Sequence, residues 1–438
     1  MNLHIKNIGM IKDATIKLDG LTVIAGENNM GKSTFGKLIF TIIKSISRYK
    51  EDLEENKEKN IKNILDKLYF TLRRKVDFSN NIEIKEIFYP PRFFKEIESQ
   101  NLKAVDRRIE YIESLQSNLF ESEGTLNDDI KIFLKKELNQ IKSEIKSKDN
   151  TSLMRINAFK KALISEFNNE ISSKSSSQLS KIDATDFSNA ILNITIKENE
   201  IKKFDLMDKL YFQDATFIES PIVLQLNESI GMSKTFLELE NQSKRIHRLN
   251  FANVPLHIKD LHSKLQDSVF GDLFISNILF DEVNADLKDI ISGEVSYSEE
   301  EKEFIYQDKN GNTHKSINIA SGIKSFGIIQ MLIKGGFINE SSLLILDEPE
   351  VHLHPKWQIE YAKIITLLVK NNINVLITSH SPYMIQGLIK FVKENNINEI
   401  SNFYLMEEEK GFAKCTEVNN NLELIFELLA EPLNRVYE

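Results

Sequence analysis

The stretch "AGENNMGKST", residues 25–34, carries two glycines separated by four residues and followed by a lysine and two hydroxyl residues. This G-x-x-x-x-G-K-[ST] spacing predicts a phosphate-binding loop, because the glycines let backbone N–H groups converge on an anion. Lys32 would reach the β- and γ-phosphates of a nucleotide, and Ser33 would place its hydroxyl on Mg²⁺. The predicted binding residues are Gly26, Glu27, Asn28, Asn29, Met30, Gly31, Lys32, Ser33 and Thr34.

The residues around this loop have the character that such a loop needs. "LTVIAG" before it predicts a buried strand, and "FGKLIFTII" after it predicts an apolar helix. We expect the helix to begin near Thr34 and to run to about Arg48. Its N-terminus would direct the positive end of the helix dipole at the phosphates.

A second stretch, "SSLLILDEPEVHLHP" at residues 341–355, supplies carboxylates. Its apolar residues predict a buried strand with Asp347 at the carboxyl end, which is where open α/β sheets bind ligands. Asp347 would hold Mg²⁺ directly or through water. Glu348 would polarise an attacking water as the general base.

Composition narrows the class of protein. The chain has 438 residues, a length typical of two or three domains. Of these residues, 41% are hydrophobic and 28% are charged, as in globular proteins. No apolar run is long enough for a membrane span, and the single cysteine, Cys415, fits a reducing cytoplasm. The formal charge of −9 does not favour nucleic-acid binding, although the basic stretches 72–77 and 243–250 leave it open.

The pattern of elements changes along the chain and predicts three regions. Residues 1–48 read as strands, the phosphate-binding loop and a helix. Residues 49–181 are rich in Lys and Glu and carry helical apolar stripes, such as Ile130, Leu134, Leu138 and Ile141, which predict a helical insertion. Residues 182–438 return to strands, include a hairpin signal at "KNGN" (309–312), and then alternate helix and strand.

Two further motifs complete a recognisable order. "IASGIKS", residues 319–325, stands before a predicted helix upstream of Asp347, and His380 ends the predicted strand "VLITSH". In this order the chain resembles the ABC-type ATPases. Ser321 and Gly322 match the Ser-Gly pair of their signature loop, Asp347 and Glu348 match Walker B, and His380 matches the switch histidine. Residues 323 and 324 depart from the usual signature sequence.

This resemblance implies an α/β fold of the ABC-type P-loop NTPase head. Such a head has a mixed central sheet with flanking helices and an antiparallel β subdomain, here with a helical insertion. ATP and Mg²⁺ are the implied cofactors. In the family the signature serine of a second subunit contacts the γ-phosphate, so one set of motifs implies a homodimer or higher homo-oligomer as the active unit.

Within the superfamily, "DEPEVHLHP", "TSHSPYMI" and "ASGIKSFGIIQ" resemble the AAA_15/AAA_21 group. That group includes the ATPase heads of OLD-family nucleases and of the Septu anti-phage system. Only 58 residues follow His380, which leaves no room for the Toprim nuclease domain of OLD proteins. We therefore expect a cytoplasmic sensor or regulatory ATPase of phage defence, working with a separately encoded effector such as a nuclease or toxin.

Two other functions stay open at this point. One is a RecF- or SMC-like ATPase of DNA repair or chromosome maintenance, whose turnover DNA would stimulate. The other is a scaffold that binds ATP and barely hydrolyses it.

Several residues near these motifs have two readings. His352 and His354 have a metal-compatible H-x-H spacing, but their position after Walker B favours packing against a dimer partner. Gln225 and Glu219 are candidates for the metal-sensing glutamine position of the family. Trp357 is predicted to lie in the core and not to stack on adenine.

Overall fold

The structure is a computed structural model that describes residues 1–75, 85, 88–91, 107, 109–112, 128–146, 151–168, 170–172, 179–187, 189–233, 254–273 and 280–429. Two compact units are present: Met1–Ser47 with Arg155–Glu438, and Arg48–Met154. The basic stretch 243–250 lies outside the described residues, as do the last two residues of the stretch 72–77. Among the described residues, no helix is both long and apolar enough to cross a membrane.

An eleven-stranded mixed sheet forms the centre of the first unit. Its strands are β1 (Asn2–Ile8), β2 (Ile11–Lys17), β3 (Leu21–Gly26), β4 (Ser180–Asp186), β5 (Asn189–Lys197), β6 (Glu200–Leu206), β7 (Asp214–Ile218), β11 (Ser342–Asp347), β12 (Asn374–Ser379), β13 (Ser401–Glu409) and β14 (Phe412–Glu417). They are ordered β6-β5-β4-β1-β2-β14-β13-β3-β12-β11-β7. The strands β13, β3, β12, β11 and β7 are parallel, whereas β1, β2, β4, β5 and β6 pair antiparallel.

The two kinds of strand differ in burial for a physical reason. Every residue of β3, β11 and β12 is buried, because both faces of this parallel region are covered. In β11 the side chains of Leu344 and Leu346 enter one apolar core and those of Leu343 and Ile345 enter the other. In contrast, β2 and β4 mix buried with exposed residues.

The helices of the described chain are α1 (Lys32–Lys75), α2 (Asp128–Lys146), α3 (Thr151–Phe167), α4 (Asn227–Met232), α5 (Leu256–Asp267), α6 (Asp281–Ile291), α7 (Ser321–Lys334), α8 (Pro355–Lys370) and α9 (Pro382–Glu394), with residues 423–429 also helical. Phe35 and Phe40 of α1 and Phe159 of α3 pack into the core on one face of the sheet. The helices α5 to α9 pack into the core on the other face. The predicted α/β head with an antiparallel β subdomain is confirmed.

A small antiparallel sheet joins β8 (Gly293–Ser298), β9 (Glu303–Asp308) and β10 (Thr313–Lys315). The predicted turn at 309–312 connects β9 to β10, so this hairpin is confirmed. Gly311 has a φ of +85°, a conformation that glycine adopts without steric cost.

The second unit has its own apolar core, and it uses the predicted stripe. Ile61, Leu65, Leu68 and Leu72 of α1 share this core with four residues of α2, namely Ile130, Leu134, Leu138 and Ile141. The Lys67 ammonium lies 2.7 Å from the Glu137 carboxylate, which is nearly fully buried.

Two predicted limits differ from the structure. The helix predicted to end at about Arg48 continues to Lys75, because the Lys- and Glu-rich residues that follow contain no proline or glycine and form helices readily. The second unit ends at Met154, before the predicted insertion limit at residue 181. Residues such as Phe159 and Leu163 of α3 pack into the core of the first unit instead.

Candidate phosphate-binding and hydrolytic site

The parallel strands of the first unit end side by side. In their register Asp347 pairs with Thr378, and Ser379 pairs with Ala25. The carboxyl ends of parallel strands are where open α/β sheets bind ligands. The register therefore brings Gly26, which follows Ala25, to the same edge of the sheet as Asp347.

The glycines of the predicted phosphate-binding loop stand where a side chain would not fit. A Cβ atom at Gly26 would lie 2.5 Å from the carbonyl oxygen of Met406. Gly31 has a φ of +81°, and Asn29 has a φ of +65°, a conformation that asparagine tolerates better than most residues. These positions give the loop its tight curvature. Glu27, Asn28 and Asn29 are exposed, Met30 is buried, and Ser33 and Thr34 are half-buried in the first turn of α1.

The loop closes around the ammonium group of Lys32, whose side chain is only 3% exposed. Its Nζ donates to the carbonyl oxygens of Gly26 at 2.9 Å and Glu27 at 2.7 Å. The same atom lies 3.1 Å from Oε1 of Glu348. A buried cation is thus held at the centre of the loop, beside the carboxylate predicted to act as the base.

Asp347 and Ser33 form the oxygen-rich side of the site. The buried Asp347 carboxylate accepts a hydrogen bond from Oγ1 of Thr378 at 2.6 Å and another from the Ser33 hydroxyl. The pKa of Asp347 is raised, mainly by burial, although the hydrogen bonds from Thr378 and Ser33 oppose this shift. A carboxylate and a hydroxyl are hard oxygen ligands of the kind Mg²⁺ takes, with water and phosphate oxygens completing its shell. These residues therefore fit the predicted metal.

Glu348 lies in a strained backbone conformation at the end of β11. Its φ of +47° is left-handed, which is uncommon for a residue with a Cβ and is found most often at functional sites. Its N–H donates to the carbonyl oxygen of Thr378 at 3.1 Å, which anchors the turn to the neighbouring strand. The carboxylate is thereby directed at the cations of the site.

His380 and Lys32 together set the charge of Glu348. Nδ1 of His380 lies 3.4 Å from Oε1 of Glu348. The His380 imidazole, and then the Lys32 ammonium, hold the pKa of Glu348 down at about 2. In return, the Glu348 carboxylate raises the pKa of His380. The structure therefore brings the predicted residues Lys32, Asp347, Glu348 and His380 together.

Glu350 is a further member of the site that sequence reasoning missed. Its buried Oε1 accepts from the Ser379 hydroxyl at 2.7 Å and from the backbone N–H groups of His380 at 2.7 Å and Ser381 at 3.2 Å. This carboxylate fixes the turn that carries His380. Its acidic neighbours in "DEPE" were the only available signal, and they do not reveal which chain segment it contacts.

The signature segment, residues 319–325, lies at the start of α7. Ser321 is the first residue of that helix and is exposed. Among the described residues, no hydrogen bond or ion pair joins Ser321 or Gly322 to the phosphate-binding loop. Lys324 is 1% exposed, and its ammonium has no hydrogen-bond partner among the residues that the structure describes.

Trp357 explains why residue 322 is glycine. A Cβ atom there would lie 2.4 Å from Cζ3 and 2.5 Å from Cε3 of the indole. Trp357 in turn packs edge-on against Phe326, with ring centroids 5.6 Å apart. Trp357 is half-buried and packs against the core, at its edge and not fully within it as predicted.

We expect Gly322→Ala to destabilise the protein by about 1–3 kcal/mol, since the tightly packed indole must move. Thermal and urea unfolding would measure this loss. Gly231→Ala in α4 is the matched control, because its new Cβ would have only one neighbour, 3.9 Å away. Adding Trp357→Leu should recover part of the loss. Equal stability of the Gly322→Ala and Gly231→Ala proteins would contradict the packing role.

His352 and His354, which have a metal-compatible spacing in the sequence, contact different residues in the structure. Nε2 of His352 lies 3.3 Å from Oγ of Ser220, whereas Nδ1 of His354 accepts from the Lys356 N–H at the start of α8. In the described part of the chain, no group of three His, Cys, Asp or Glu residues is arranged to hold a metal. The two histidines therefore have separate structural contacts.

Glu219, and not Gln225, reaches the site. Glu219 directly follows β7, and its negative charge contributes to the raised pKa of the neighbouring Asp347. Gln225 is exposed and ends the 3₁₀ turn Pro221–Leu224.

Comparison with known proteins identifies relatives of this chain. The family model AAA_15, described as an AAA ATPase domain, matches residues 1–385. The Septu protein PtuA of Bacillus thuringiensis is 32% identical over 159 residues, covering 32% of this chain and 35% of that protein. The match thus spans about a third of that relative.

Solved structures that the chain matches include two SMC heads. One, bound to the C-winged helix domain of ScpA, has 10% identity and a TM-score of 0.39, and the alignment covers 97% of this chain and 98% of that one. The SMC head domain from Thermotoga maritima has 11% identity and a TM-score of 0.34, with coverage of 95% and 98%.

Proposed function

Because the chain belongs to the AAA_15 family of AAA ATPase domains, and is therefore an ATPase, we propose that it hydrolyses ATP·Mg²⁺ at an interface between two copies of itself. One observation carries the proposal: Glu348 lies 3.1 Å from Lys32 and 3.4 Å from His380 at the strand ends beside Asp347. A cation for phosphate, a carboxylate for water and an oxygen ligand for a metal are thus assembled in one place.

Each residue has a role that its contacts support. The loop backbone and Lys32 bind the phosphates, and Asp347 and Ser33 would hold Mg²⁺. When bound, Mg²⁺ would offset the negative charge of the phosphates. Glu348 accepts a proton from the attacking water, because its low pKa keeps it ionised at neutral pH. His380, held by Glu350, orients Glu348 and adds positive charge near the transferred phosphoryl group.

A second copy of the chain completes this site. Ser321 has its hydroxyl exposed at a helix N-terminus, which favours an anion, yet it is bonded to no part of its own phosphate-binding loop among the described residues. Exposed apolar side chains stand on three short 3₁₀ turns, Pro221–Leu224, Ser316–Asn318 and Pro349–His352: they are Ile222, Ile317 and Val351. Hydrogen bonds from Ser316 to Leu224 and from Ser220 to His352 keep these turns adjacent. This surface, called here the signature face, suits a two-fold partner.

The biological setting that we propose is defence against phage in the cytoplasm. The match to the Septu protein PtuA supports it, over about a third of each chain. In this setting the ATPase senses or regulates, and a separately encoded nuclease or toxin is the effector. We propose that this partner docks on the exposed side chains of the second unit, Arg48–Met154, such as Phe70 and Ile132 among the described residues.

Turnover and assembly of the full chain test the proposal together. We expect phosphate release from ATP with Mg²⁺ and none with EDTA, and we expect sedimentation to show dimers or larger assemblies that increase with ATP. A chain that stays monomeric with ATP and turns over at a rate independent of protein concentration would contradict the shared site. Turnover that rises strongly with DNA would favour the RecF- or SMC-like function, and tight ATP binding without turnover would favour the scaffold.

The defence setting needs its own test. Cells carrying this gene with its neighbouring genes should reduce phage plaque formation, and Lys32→Ala should abolish the protection. Equal plaque numbers with the wild-type and Lys32→Ala genes would contradict a role for ATP in defence.

A further inference from the structure

A buried histidine is held between two carboxylates behind the site. Nδ1 of His257 lies 2.6 Å from Oε2 of Glu166, and Nε2 lies 2.9 Å from Oε2 of Glu219. The His257 side chain is 1% exposed and that of Glu166 is fully buried. The ring packs against Phe217, with centroids 4.9 Å apart. His257 thus has one fixed orientation.

The two contacts fix the charge of the ring. An ionised carboxylate only accepts hydrogen bonds, so each ring nitrogen must carry a proton to donate to its partner. His257 is therefore an imidazolium, and the two carboxylates raise its pKa against the effect of burial. A buried imidazolium would be very unfavourable alone, and its two carboxyl partners offset that cost.

Glu166 also holds the backbone of His257. Its Oε1 accepts from the His257 N–H at 2.8 Å, in the first turn of α5, where that N–H has no partner within the helix. The first turn of α5 has no capping side chain from its own N-cap residue, Pro255. Glu166 comes from the last turn of α3, where a negative charge is unfavourable for its own helix dipole. Its position is thus explained by His257 and not by its own helix.

Glu219 connects this pair to the nucleotide side of the sheet. In the register of β7 with β11, Ile218 pairs with Leu346, so Glu219 and Asp347 follow at adjacent strand ends. Oε1 of Glu219 lies 2.9 Å from Nζ of Lys37, one turn after Ser33 in α1. The Glu219 side chain is 40% exposed. The network therefore begins with a fully buried carboxylate and ends with an accessible one beside Asp347.

We propose that Glu166 and His257 are positioning residues, which hold the Glu219 carboxylate beside Asp347 so that its charge and oxygen atoms support the binding of Mg²⁺ and the hydrolysis of ATP there. A stabilising pair alone would need only Glu166 and His257. The second ring nitrogen instead fixes a carboxylate at the site edge, and Lys37 restrains its other oxygen. Because Glu166 belongs to α3, a shift of that helix would reach the site through two hydrogen bonds. This inference rests on the proposed function.

The test compares two histidines on one helix. His262 of α5 is also 1% exposed, but its Nε2 pairs with Asn227 Oδ1 at 2.8 Å, away from Glu219. We expect His257→Gln to lower kcat by about tenfold with KM changed less than about threefold. We expect His262→Gln to lose stability without this loss of kcat. An equal fall of kcat in both variants would overturn the proposal.

A double-mutant cycle separates positioning from mere folding. The Glu219 side chain is half-exposed, so the Glu219→Gln protein should fold. This variant keeps the test valid if a His257 variant fails to fold. We expect the kcat of the His257→Gln, Glu219→Gln double variant to equal that of Glu219→Gln alone, within about twofold. Both substitutions remove the same interaction, the contact between His257 and Glu219. Rate losses that multiply would show independent effects and overturn the proposal.

Binding provides a readout that does not need turnover. With a fluorescent ATP analogue, His257→Gln should raise the Mg²⁺ concentration for half-maximal binding by about threefold or more, and leave binding in EDTA unchanged. Unchanged Mg²⁺ dependence would overturn the positioning role even if turnover falls. If the wild type binds ATP·Mg²⁺ but does not hydrolyse it, the proposed hydrolysis fails, and this shift still decides the role of His257. A wild type whose nucleotide binding is insensitive to Mg²⁺ overturns the positioning role, whereas the proposed hydrolysis is decided by turnover.

Discussion

Replacing Glu348 by glutamine is expected to lower ATP turnover by about 10²–10⁴-fold while ATP binding is retained. The amide cannot accept the proton of the attacking water. Lys32 keeps its two carbonyl partners, Gly26 and Glu27, so the loop should stay folded. Phosphate release and equilibrium binding of a fluorescent ATP analogue measure the two properties separately, and sedimentation should show an ATP-bound assembly that persists.

Two comparison proteins make this result interpretable. Lys32→Ala should lose ATP binding, because it removes the cation of the loop. Glu299→Gln, in the exposed turn between β8 and β9, should leave both properties unchanged. Turnover of Glu348→Gln at the wild-type rate would show that Glu348 is not the base.

Mixing two inactive proteins is expected to restore turnover if the site is shared. A Ser321→Arg chain should bind ATP but fail to close on it, and a Lys32→Ala chain should not bind ATP. In their heterodimer the first chain supplies the phosphate-binding loop and the second supplies the signature residues. One complete site then forms, so that a statistical mixture recovers at most about a quarter of the wild-type rate.

The control for complementation places both substitutions in the same chain. A Lys32→Ala chain mixed with a Lys32→Ala, Ser321→Arg double variant has no complete site and should stay inactive. No recovery in the Ser321→Arg and Lys32→Ala mixture, although sedimentation shows mixed dimers, would contradict a shared site.

Local sequence was sufficient to predict the chemical groups of the site. The phosphate-binding loop and the acidic strand end are short stretches whose residue types follow from phosphate and metal chemistry. The buried strands that carry them are largely apolar, because both of their faces are covered. His380 required the order of motifs as well, because a single histidine after a strand has no distinctive pattern.

Contacts between distant residues could not be predicted in this way. Glu166 and His257 are 91 positions apart, and Glu350 and His380 are 30 apart. Nothing in the local pattern of "LISEF" indicates that its glutamate will be buried against an imidazolium. The end of α1 was mispredicted for a related reason: a change in composition was taken as a break, whereas strong helix formers carry the helix onward.

The 3₁₀ turn Pro349–His352 has a consequence for how two sites in one dimer would communicate. Its buried Glu350 holds the backbone of His380, and the next residue, Val351, is exposed on the signature face. A partner chain that presses on Val351 therefore acts one peptide unit away from the clamp on His380. In the proposed dimer, closure at the interface and alignment of Glu348 with His380 would then be a single event, so that the two sites would respond to ATP cooperatively, with a Hill coefficient above one.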